Sequence, residues 1–252
     1  MSIRSETLDG GIRLLVIDRP EKRNAMTLEM VRTLRDRVTE ADGDRSVKGV
    51  VITGEGTAFC SGIDLQEFAR GTPDSARTLI EILKDLCAAV RNIPKPVAVA
   101  VRGHCLGGAL ELAVAADFRV CSPDARFGMP EVAVGLPSVI DAALIQQYVG
   151  LGRAKELLLT GDPIDGATAL AWGLVNRVVE PEQLLEAALG LVARVAGHHP
   201  AAVRAQKELI EDWLNEPLDE SIENSIAFLV EAFRDGVPQR SARELLERRP
   251  KV

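Results

Sequence analysis

The sequence predicts an α/β fold with a C-terminal segment made mainly of helices. Twice the chain runs from a short apolar strand pattern through a glycine-containing loop into a helical pattern, at residues 49–90 and 96–116. Helical periodicity dominates after Pro181. Ligands of parallel α/β proteins collect at the carboxyl ends of strands, so we expect the functional residues in and after the two glycine loops.

Length and composition limit the classes of protein that the chain can belong to. Of its 252 residues 46% are hydrophobic, enough to build a sizeable core. We expect an α/β core at residues 1–180 and a helical segment at residues 181–252. With 37 acidic and 30 basic residues the net charge is −7, which argues against a nucleic acid or an anionic membrane as partner.

Cysteine and histidine usage indicates a cytoplasmic protein without a metal site. The four cysteines are too far apart to form a CxxC pair, and three histidines offer few further ligands for zinc. The first twenty residues resemble neither a secretory signal nor a transit peptide, and no run approaches the ~20 apolar residues of a membrane span. We therefore expect reduced thiols and no membrane partner.

The elements follow from local patterns, taken in chain order. Asp-Gly-Gly at residues 9–11, between apolar runs, predicts a β-hairpin, and helical spacing predicts a helix over residues 27–38. Two nearly continuous apolar runs predict strands that are buried on both faces. These strands are expected at residues 49–53 and 96–101, with a helix between them near residues 79–90, and later helices at 184–195, 201–214, 218–233 and 241–248.

The common nucleotide and hydrolase motifs are missing from the sequence. It contains no GxxxxGK[ST], GxGxxG, HExxH or GxSxG pattern, which argues against a nucleotide phosphate cradle and a serine-hydrolase elbow. His104 lies in the second glycine loop, where a hydrogen-bonded structural histidine is the simplest interpretation. His198 and His199 precede Pro200, which is typical of a solvated helix start.

The second glycine loop is the strongest candidate for a reactive site. Gly107 and Gly108 can turn tightly and bring backbone N–H groups close to a ligand, and the following helix directs its positive end to the same place. One N–H near Gly108 and one near Ser61 would form a two-donor oxyanion hole. Glu111 and Glu131 have apolar neighbours, and spacing alone leaves open an acid–base pair or a helix-start glutamate plus a loop glutamate.

Four segments together resemble the crotonase, or enoyl-CoA hydratase/isomerase, superfamily, and the resemblance covers nearly the whole chain. They are residues 19–25, 59–65, 107–117 and 127–131, and a Trp-Gly-Leu-Val motif near residue 172 resembles a late packing motif of the family. The two glutamates are 20 residues apart, as in family hydratases. Ser61 stands where many members have alanine, a tolerable change because only its backbone N–H is needed.

The resemblance implies a crotonase-like ββα superhelix with a C-terminal helical trimerisation region, and a trimer or dimer of trimers. It implies a CoA thioester substrate, no metal and no cofactor apart from the CoA of the substrate. Backbone N–H groups of Ser61 and Gly108 would hold the thioester oxygen as an enolate forms. Glu131 would act as acid and base at the α carbon, and Glu111 would position the water.

The resemblance also implies where the substrate binds. For the acyl pocket, the same side chains can equally be core, and Asp141 can instead cap a helix start. Lys22 or Arg23 is expected on a CoA phosphate, and backbone groups of residues 61–64 on the adenine side. The CoA residues are Lys22, Arg23, Ala25, Ser61, Ile63, Asp64 and Leu65, and the acyl residues are Met26, Phe68, Val139, Ile140 and Asp141.

Three functions remain open at this point. The first is an enoyl-CoA hydratase, because both glutamates are present. The second is a 3,2-enoyl-CoA isomerase with Glu131 as the single base, or another crotonase-type acyl-CoA lyase. The third is a non-catalytic member that binds acyl-CoA or RNA. Val139 stands where dienoyl isomerases and some dehalogenases of the family have an aspartate, so those two chemistries are disfavoured.

An apolar stripe after Pro181 predicts an oligomer. A stripe that the core leaves uncovered is best buried against another subunit, so we expect a cyclic trimer as the basic unit. The stripe consists of Leu184, Leu185, Ala188, Leu191, Val192 and Val195.

Overall fold

A computed structural model describes residues 2–234 and 236–248 and divides the chain into two compact units. The first unit reaches Gly197 and contains the α/β core. The second begins at His198 and is helical. The described helices include no segment with the length and hydrophobicity that a bilayer span requires.

The strands and helices alternate along the first unit as the sequence predicts. The β-strands are β1 (Ser2–Leu8), β2 (Ile12–Asp18), β3 (Gly49–Gly54), β4 (Val97–Val101), β5 (His104–Leu106), β6 (Phe118–Cys121), β7 (Arg126–Gly128), β8 (Ile164–Asp165) and β9 (Arg177–Val178). The α-helices are α1 (Leu28–Gly43), α2 (Leu65–Ala69), α3 (Pro73–Asn92), α4 (Gly108–Ala115), α5 (Ile145–Val149), α6 (Leu151–Thr160), α7 (Gly166–Trp172), α8 (Leu184–Ala196), α9 (Pro200–Asn215), α10 (Leu218–Ala232) and α11 (Val237–Arg248). The 3-10 helices Pro130–Val134 and Ile140–Leu144 lie between β7 and α5.

Two sheets organise the first unit. The larger has the strand order β1-β2-β3-β4-β6-β9, and its pairs are parallel apart from the antiparallel β1·β2 hairpin. The smaller has the order β5-β7-β8, with β5 and β7 parallel. The predicted hairpin at residues 9–11 is confirmed, since Leu8 pairs with Ile12 across the turn.

The large sheet is covered on both faces, as its nearly continuous apolar strands predict. Val50 and Ile52 of β3 join a core that includes side chains of α1, α3 and α4, whereas Val51 between them joins a second core. That second core contains Leu184 and Val192 of α8. Because side chains alternate between the faces of a strand, both faces need an apolar layer.

Part of the apolar stripe that was expected to contact another subunit is instead buried within the chain, on α8. Leu184, Ala188 and Val192 are buried against the sheet of their own chain, so they are not available to a second subunit. The first compact unit accordingly extends past residue 180 to Gly197. Exposed apolar side chains of α10 and of Phe233 directly after it offer a different surface, formed by Leu218, Ile222, Ile226, Leu229 and Phe233.

Candidate active site

The start of α4 lies at the centre of the site. β5 ends at Leu106, and Gly107 then adopts φ 55° and ψ −128°, a conformation that side chains rarely allow. A Cβ atom at Gly107 would overlap Oε1 of Glu131. Glycine is therefore needed here to let the carboxyl of Glu131 approach the first turn of α4, which also carries Glu111.

Glu111 is a buried carboxyl with an unused oxygen. Only 3% of the residue is exposed, and its Oε1 has no hydrogen-bond partner among the described residues. Burial, followed by the charge of Glu131, raises its pKa to about 8. Backbone N–H groups of Ala142 and Val139 act in the opposite direction. A buried polar atom without a partner is costly, which marks this carboxyl as a candidate for chemistry.

Glu131 lies in the 3-10 helix Pro130–Val134 after β7, and its side chain is hydrogen-bonded to the segment that follows. Burial raises its pKa, while its own backbone and the Ser138 hydroxyl oppose the shift. Ser138 Oγ donates to Glu131 Oε2 over 3.2 Å. Glu131 is half-buried beside the buried Glu111. Two neighbouring carboxyls that repel each other resist simultaneous ionisation, so the pair is suited to hold one proton near neutral pH.

The structure corrects the predicted oxyanion donor at Ser61. The backbone N–H of Ser61 donates to the Arg23 carbonyl at 3.0 Å, and that of Asp64 donates to the Met26 carbonyl at 2.9 Å. Gly62 N–H contacts the Cys60 sulfur at 3.4 Å. Among residues 59–64 the N–H of Ile63 is the one that makes no hydrogen bond to the described part of the chain.

Ile63 also lies beside the second predicted donor. A Cβ atom at Gly108 would be 3.5 Å from Cγ1 of Ile63, and one at Gly62 would be 3.9 Å from the Gly108 nitrogen. Gly62 has φ 98° and its Cβ would press on the Leu106 carbonyl, so glycine is required for this close approach. Gly108 is the first residue of α4, where N–H groups lack helical acceptors.

Some predicted CoA residues are exposed, whereas others already use their polar groups in hydrogen bonds within the chain. Lys22 and Arg23 are exposed, and within the described residues neither side chain makes a hydrogen bond or ion pair. Asp64 belongs to the second group, because its carboxylate accepts hydrogen bonds from Arg19 Nη1 at 2.6 Å and from the N–H of Gln66 at the start of α2. Its pKa is lowered, mainly by the Gln66 hydrogen bond.

The other two predicted CoA residues differ in the same way. Leu65 is 65% exposed at the start of α2. Ala25 uses both backbone groups, since its N–H donates to the Lys22 carbonyl and its carbonyl accepts from Arg19. Ala25 can therefore contact a ligand through its methyl group, or through a second hydrogen bond accepted by its carbonyl.

The predicted acyl residues do not form one pocket. Met26 is fully buried in the main core, so for this residue the core interpretation is correct. Phe68 lines a cavity of about 430 Å³ together with Leu79 and Leu136. Arg19 and Asp64 also line this cavity, so its wall is partly polar.

The remaining acyl candidates belong to residues 138–142, which we call the site turn. Val139 is partly exposed, and Ile140 packs against the main core with an unusual φ of 39°. Asp141 is buried and its carboxylate accepts from Arg91 Nη1 at 2.6 Å. Asp141 therefore neither caps the helix start nor faces an acyl group through a free carboxylate.

Sequence reasoning assigned no site role to Arg91 or Ser138, and it placed Arg19 in a family-like segment without predicting its ion pair with Asp64. No local pattern distinguishes Arg91 at the end of α3 or Ser138 in a loop, because their partners lie elsewhere in the chain. His104 is half-buried, and burial, followed by the charges of Arg23 and Arg126, lowers its pKa. No hydrogen bond of its side chain is present in the described residues, so the structural-histidine interpretation remains a prediction.

Comparison with known proteins identifies a family across the chain. A family described as enoyl-CoA hydratase/isomerase matches residues 7–252. A short-chain-enoyl-CoA hydratase of Clostridium acetobutylicum is 32% identical over 227 residues, which are 89% of this chain and 85% of that protein. A crotonyl-CoA hydratase of Syntrophomonas wolfei is 33% identical over 224 residues, 88% of this chain and 85% of that protein.

Solved structures share the whole fold. The crystal structure of an enoyl-CoA hydratase from Mycobacterium smegmatis superposes with a TM-score of 0.93 at 27% identity. The superposition covers 99% of this chain and 98% of the other. The predicted α/β fold with a crotonase-like arrangement and a helical C-terminal region is confirmed.

Proposed function

This chain belongs to the enoyl-CoA hydratase/isomerase family of enzymes, and we propose that it adds water across the 2,3 double bond of a 2-enoyl-CoA. The observation that carries the proposal is the pair of Glu111, a buried carboxyl, and Glu131, a half-buried one, brought together at the start of α4. Water addition needs one group that takes a proton from water and one that gives a proton to carbon. A pair that holds a single proton supplies both.

The thioester oxygen is the second centre of the proposed reaction. Attack of water at C3 moves the double-bond electrons toward this oxygen, which becomes an enolate oxygen. Backbone N–H groups of Ile63 and Gly108 are adjacent donors for it, and the positive end of α4 adds to their effect. This arrangement keeps Gly108 as predicted and replaces Ser61 by Ile63.

The two glutamates have separate roles in the proposal. The reactive form of the singly protonated pair has its proton on Glu131 and leaves Glu111 ionised, so Glu111 orients water and accepts its proton as the oxygen bonds to C3. Glu131 then gives its proton to C2 as the enolate returns to the thioester, so the product gains one hydroxyl and one hydrogen. The proton on Glu111 is passed back to Glu131 through water to restore the starting state.

The proposed partners are the CoA part of the substrate and two further copies of the chain in a trimer. Exposed Lys22 and Arg23 are suited to a CoA phosphate, since charge-assisted hydrogen bonds to phosphate are strong. Carbonyls of Ser61 and Ile63 accept no hydrogen bond within the described residues, which suits them to the amino group of adenine. The exposed stripe of α10, with Ile222 and Ile226, supports a trimer.

Purified protein with crotonyl-CoA tests the proposal directly. Loss of the enoyl-thioester absorbance, with a 3-hydroxyacyl-CoA product that carries 18O from labelled water, is the expected result. A wild-type protein that leaves crotonyl-CoA and longer 2-enoyl-CoA thioesters unchanged would refute the hydratase activity.

A 3,2-enoyl-CoA isomerase is the second candidate, and one observation favours it. With a pKa of about 8, Glu111 carries a proton at neutral pH for much of the time, which leaves Glu131 as a single base. Such a base could move a proton from C2 to C4 of a 3-enoyl-CoA. Conversion of 3-enoyl-CoA to 2-enoyl-CoA without incorporation of 18O would identify this reaction.

A further inference from the structure

The site turn contacts both carboxyl groups of the proposed site. The Ser138 hydroxyl donates to Glu131 Oε2 at 3.2 Å. Backbone N–H groups of Val139 and Ala142 act on Glu111 and favour its charged form. The conformation of this one turn therefore determines the surroundings of both acids.

A buried ion pair holds the site turn in place. Asp141 Oδ2 lies 2.6 Å from Arg91 Nη1, and the aspartate side chain is only 10% exposed. Arg91 belongs to the last turn of α3, and α3 packs on α4, which carries Glu111. The pair thus connects the site turn to a helix that is 50 residues distant in sequence.

The site turn is also strained at the residue beside this ion pair. Ile140 has φ 39°, in a region that β-branched residues rarely occupy. Backbone strain of this kind persists only where surrounding contacts enforce it. The Arg91–Asp141 pair is one such contact, and the packing of Ile140 on the main core is a second.

We propose that Asp141, held by Arg91, is a positioning residue that fixes the site turn and supplies negative charge beside Glu111. It contacts no reacting atom and acts through the two glutamates. This inference rests on the proposed hydration for its catalytic consequences, while its effect on the protonation of Glu111 can be measured without turnover.

The charges around Glu111 give the direction of the expected effect. Burial has the largest effect in raising the pKa of Glu111, followed by repulsion from Glu131 and, to a smaller extent, from Asp141. On the packed helix α3 the neighbouring groups are Arg91 and the thiol of Cys87, whose pKa is raised by burial and which stays neutral. Removing the Asp141 charge should therefore lower the pKa of Glu111.

Asp141→Asn is the principal test, because it keeps the shape of the side chain and removes its charge. We expect kcat for crotonyl-CoA to fall about 10²-fold through misplacement of the acids, with KM changed by less than about twofold. The alkaline limb of the pH–rate profile should move to lower pH. Arg91→Lys, which retains the opposite charges, should lose less activity than Arg91→Met.

The matched control is Asp44→Asn. It removes an aspartate from the Arg13–Asp44 ion pair, which lies at the end of α1. Its kcat and its pH–rate profile should equal those of the wild type. An independent readout is the 13C NMR titration of Glu111 in protein labelled at glutamate carboxyls, with the signal assigned by its loss in Glu111→Gln.

The outcomes separate the inference from the proposed function. An unchanged titration midpoint of Glu111 in Asp141→Asn, or a loss of activity that is equal at every pH and follows thermal stability alone, would overturn the positioning role. A wild-type protein without hydratase activity would refute the proposed function instead. In that case the NMR titration would still decide whether Asp141 acts on Glu111.

Discussion

The carboxyl of Glu131 lies so close to Gly107, the residue before α4, that a Cβ atom at Gly107 would overlap Glu131 Oε1. The absence of a side chain at Gly107 is therefore a condition for the carboxyl pair. Since Glu111 is only four residues further along the chain, one glycine determines whether the two acids can occupy one site.

Gly107→Ala is expected to displace the Glu131 carboxyl and to lower kcat by at least about 10²-fold, because small misplacements of catalytic groups have effects of this size. The matched control is Gly150→Ala, which places a side chain at positive φ before a helix with nothing within 4 Å of the new atom. It imposes backbone strain without the clash. Equal losses of activity in the two variants would show that strain alone is responsible.

Glu111→Gln and Glu131→Gln should each lower kcat for hydration by about 10²–10⁴-fold, the range of single acid–base contributions. Steady-state kinetics with crotonyl-CoA measures the effect. Glu186→Gln, on an exposed position of α8, removes the same charge away from the site and should retain wild-type activity. Wild-type rates in both site variants would refute the assigned roles.

The raised pKa of Glu111 makes stability depend on pH. The pKa is about 8 in the folded protein against an ordinary value of 4.5, so the folded state binds more protons between these pH values. The free energy of unfolding should fall as pH rises through this window, by up to about 1.4 kcal/mol per pH unit from this group. Chemical denaturation across the window should show a smaller slope for Glu111→Gln, and identical slopes would contradict the shift.

The double variant Lys22→Ala/Arg23→Ala should raise KM for CoA thioesters while leaving kcat nearly unchanged, because it removes contacts that ground state and transition state share. Raised salt should reduce the difference from wild type. Arg32→Ala/Arg45→Ala removes two other exposed positive charges and serves as the control. The CoA assignment fails if both double variants have the same KM.

The proposed trimer places the exposed apolar stripe of α10 in the subunit interface. Ile226, which is 53% exposed, should lie in the interface, so Ile226→Asp should lower the mass measured by light scattering. Asn224→Asp introduces the same charge on another face of α10 and should leave the mass unchanged. A stable, fully active wild-type monomer would contradict the trimer.

Local patterns were sufficient wherever partners are close in sequence or burial is uniform. The Asp-Gly-Gly turn between apolar runs produces the β1–β2 hairpin, and the apolar runs at β3 and β4 become strands covered on both faces. The predicted helix near residues 79–90 begins earlier, at Pro73, where Thr72 and Ser75 form a capping box. The Thr-Pro-x-Ser pattern at residues 72–75 is itself a local helix-start signal.

The family resemblance implied the glutamates and glycines of the site. The remaining site residues and their contacts could be identified only from the three-dimensional fold. Ser61 was the predicted donor, but its N–H is taken by Arg23, 38 residues earlier, and Ile63 is left beside Gly108. Such competition for hydrogen bonds depends on which loops meet in space, and no spacing rule encodes it.

By itself the sequence determined which residues carry acidic, apolar or flexible character, and hence the strands, the helices and the two candidate acids. Tertiary structure decided what those residues contact. It buried Leu184 and Val192 against the sheet, although their helical stripe equally suited a subunit interface. It also paired Asp141 with Arg91, because an ion pair forms between whichever charges the packing of α3 and the site turn brings together, whatever their distance along the chain.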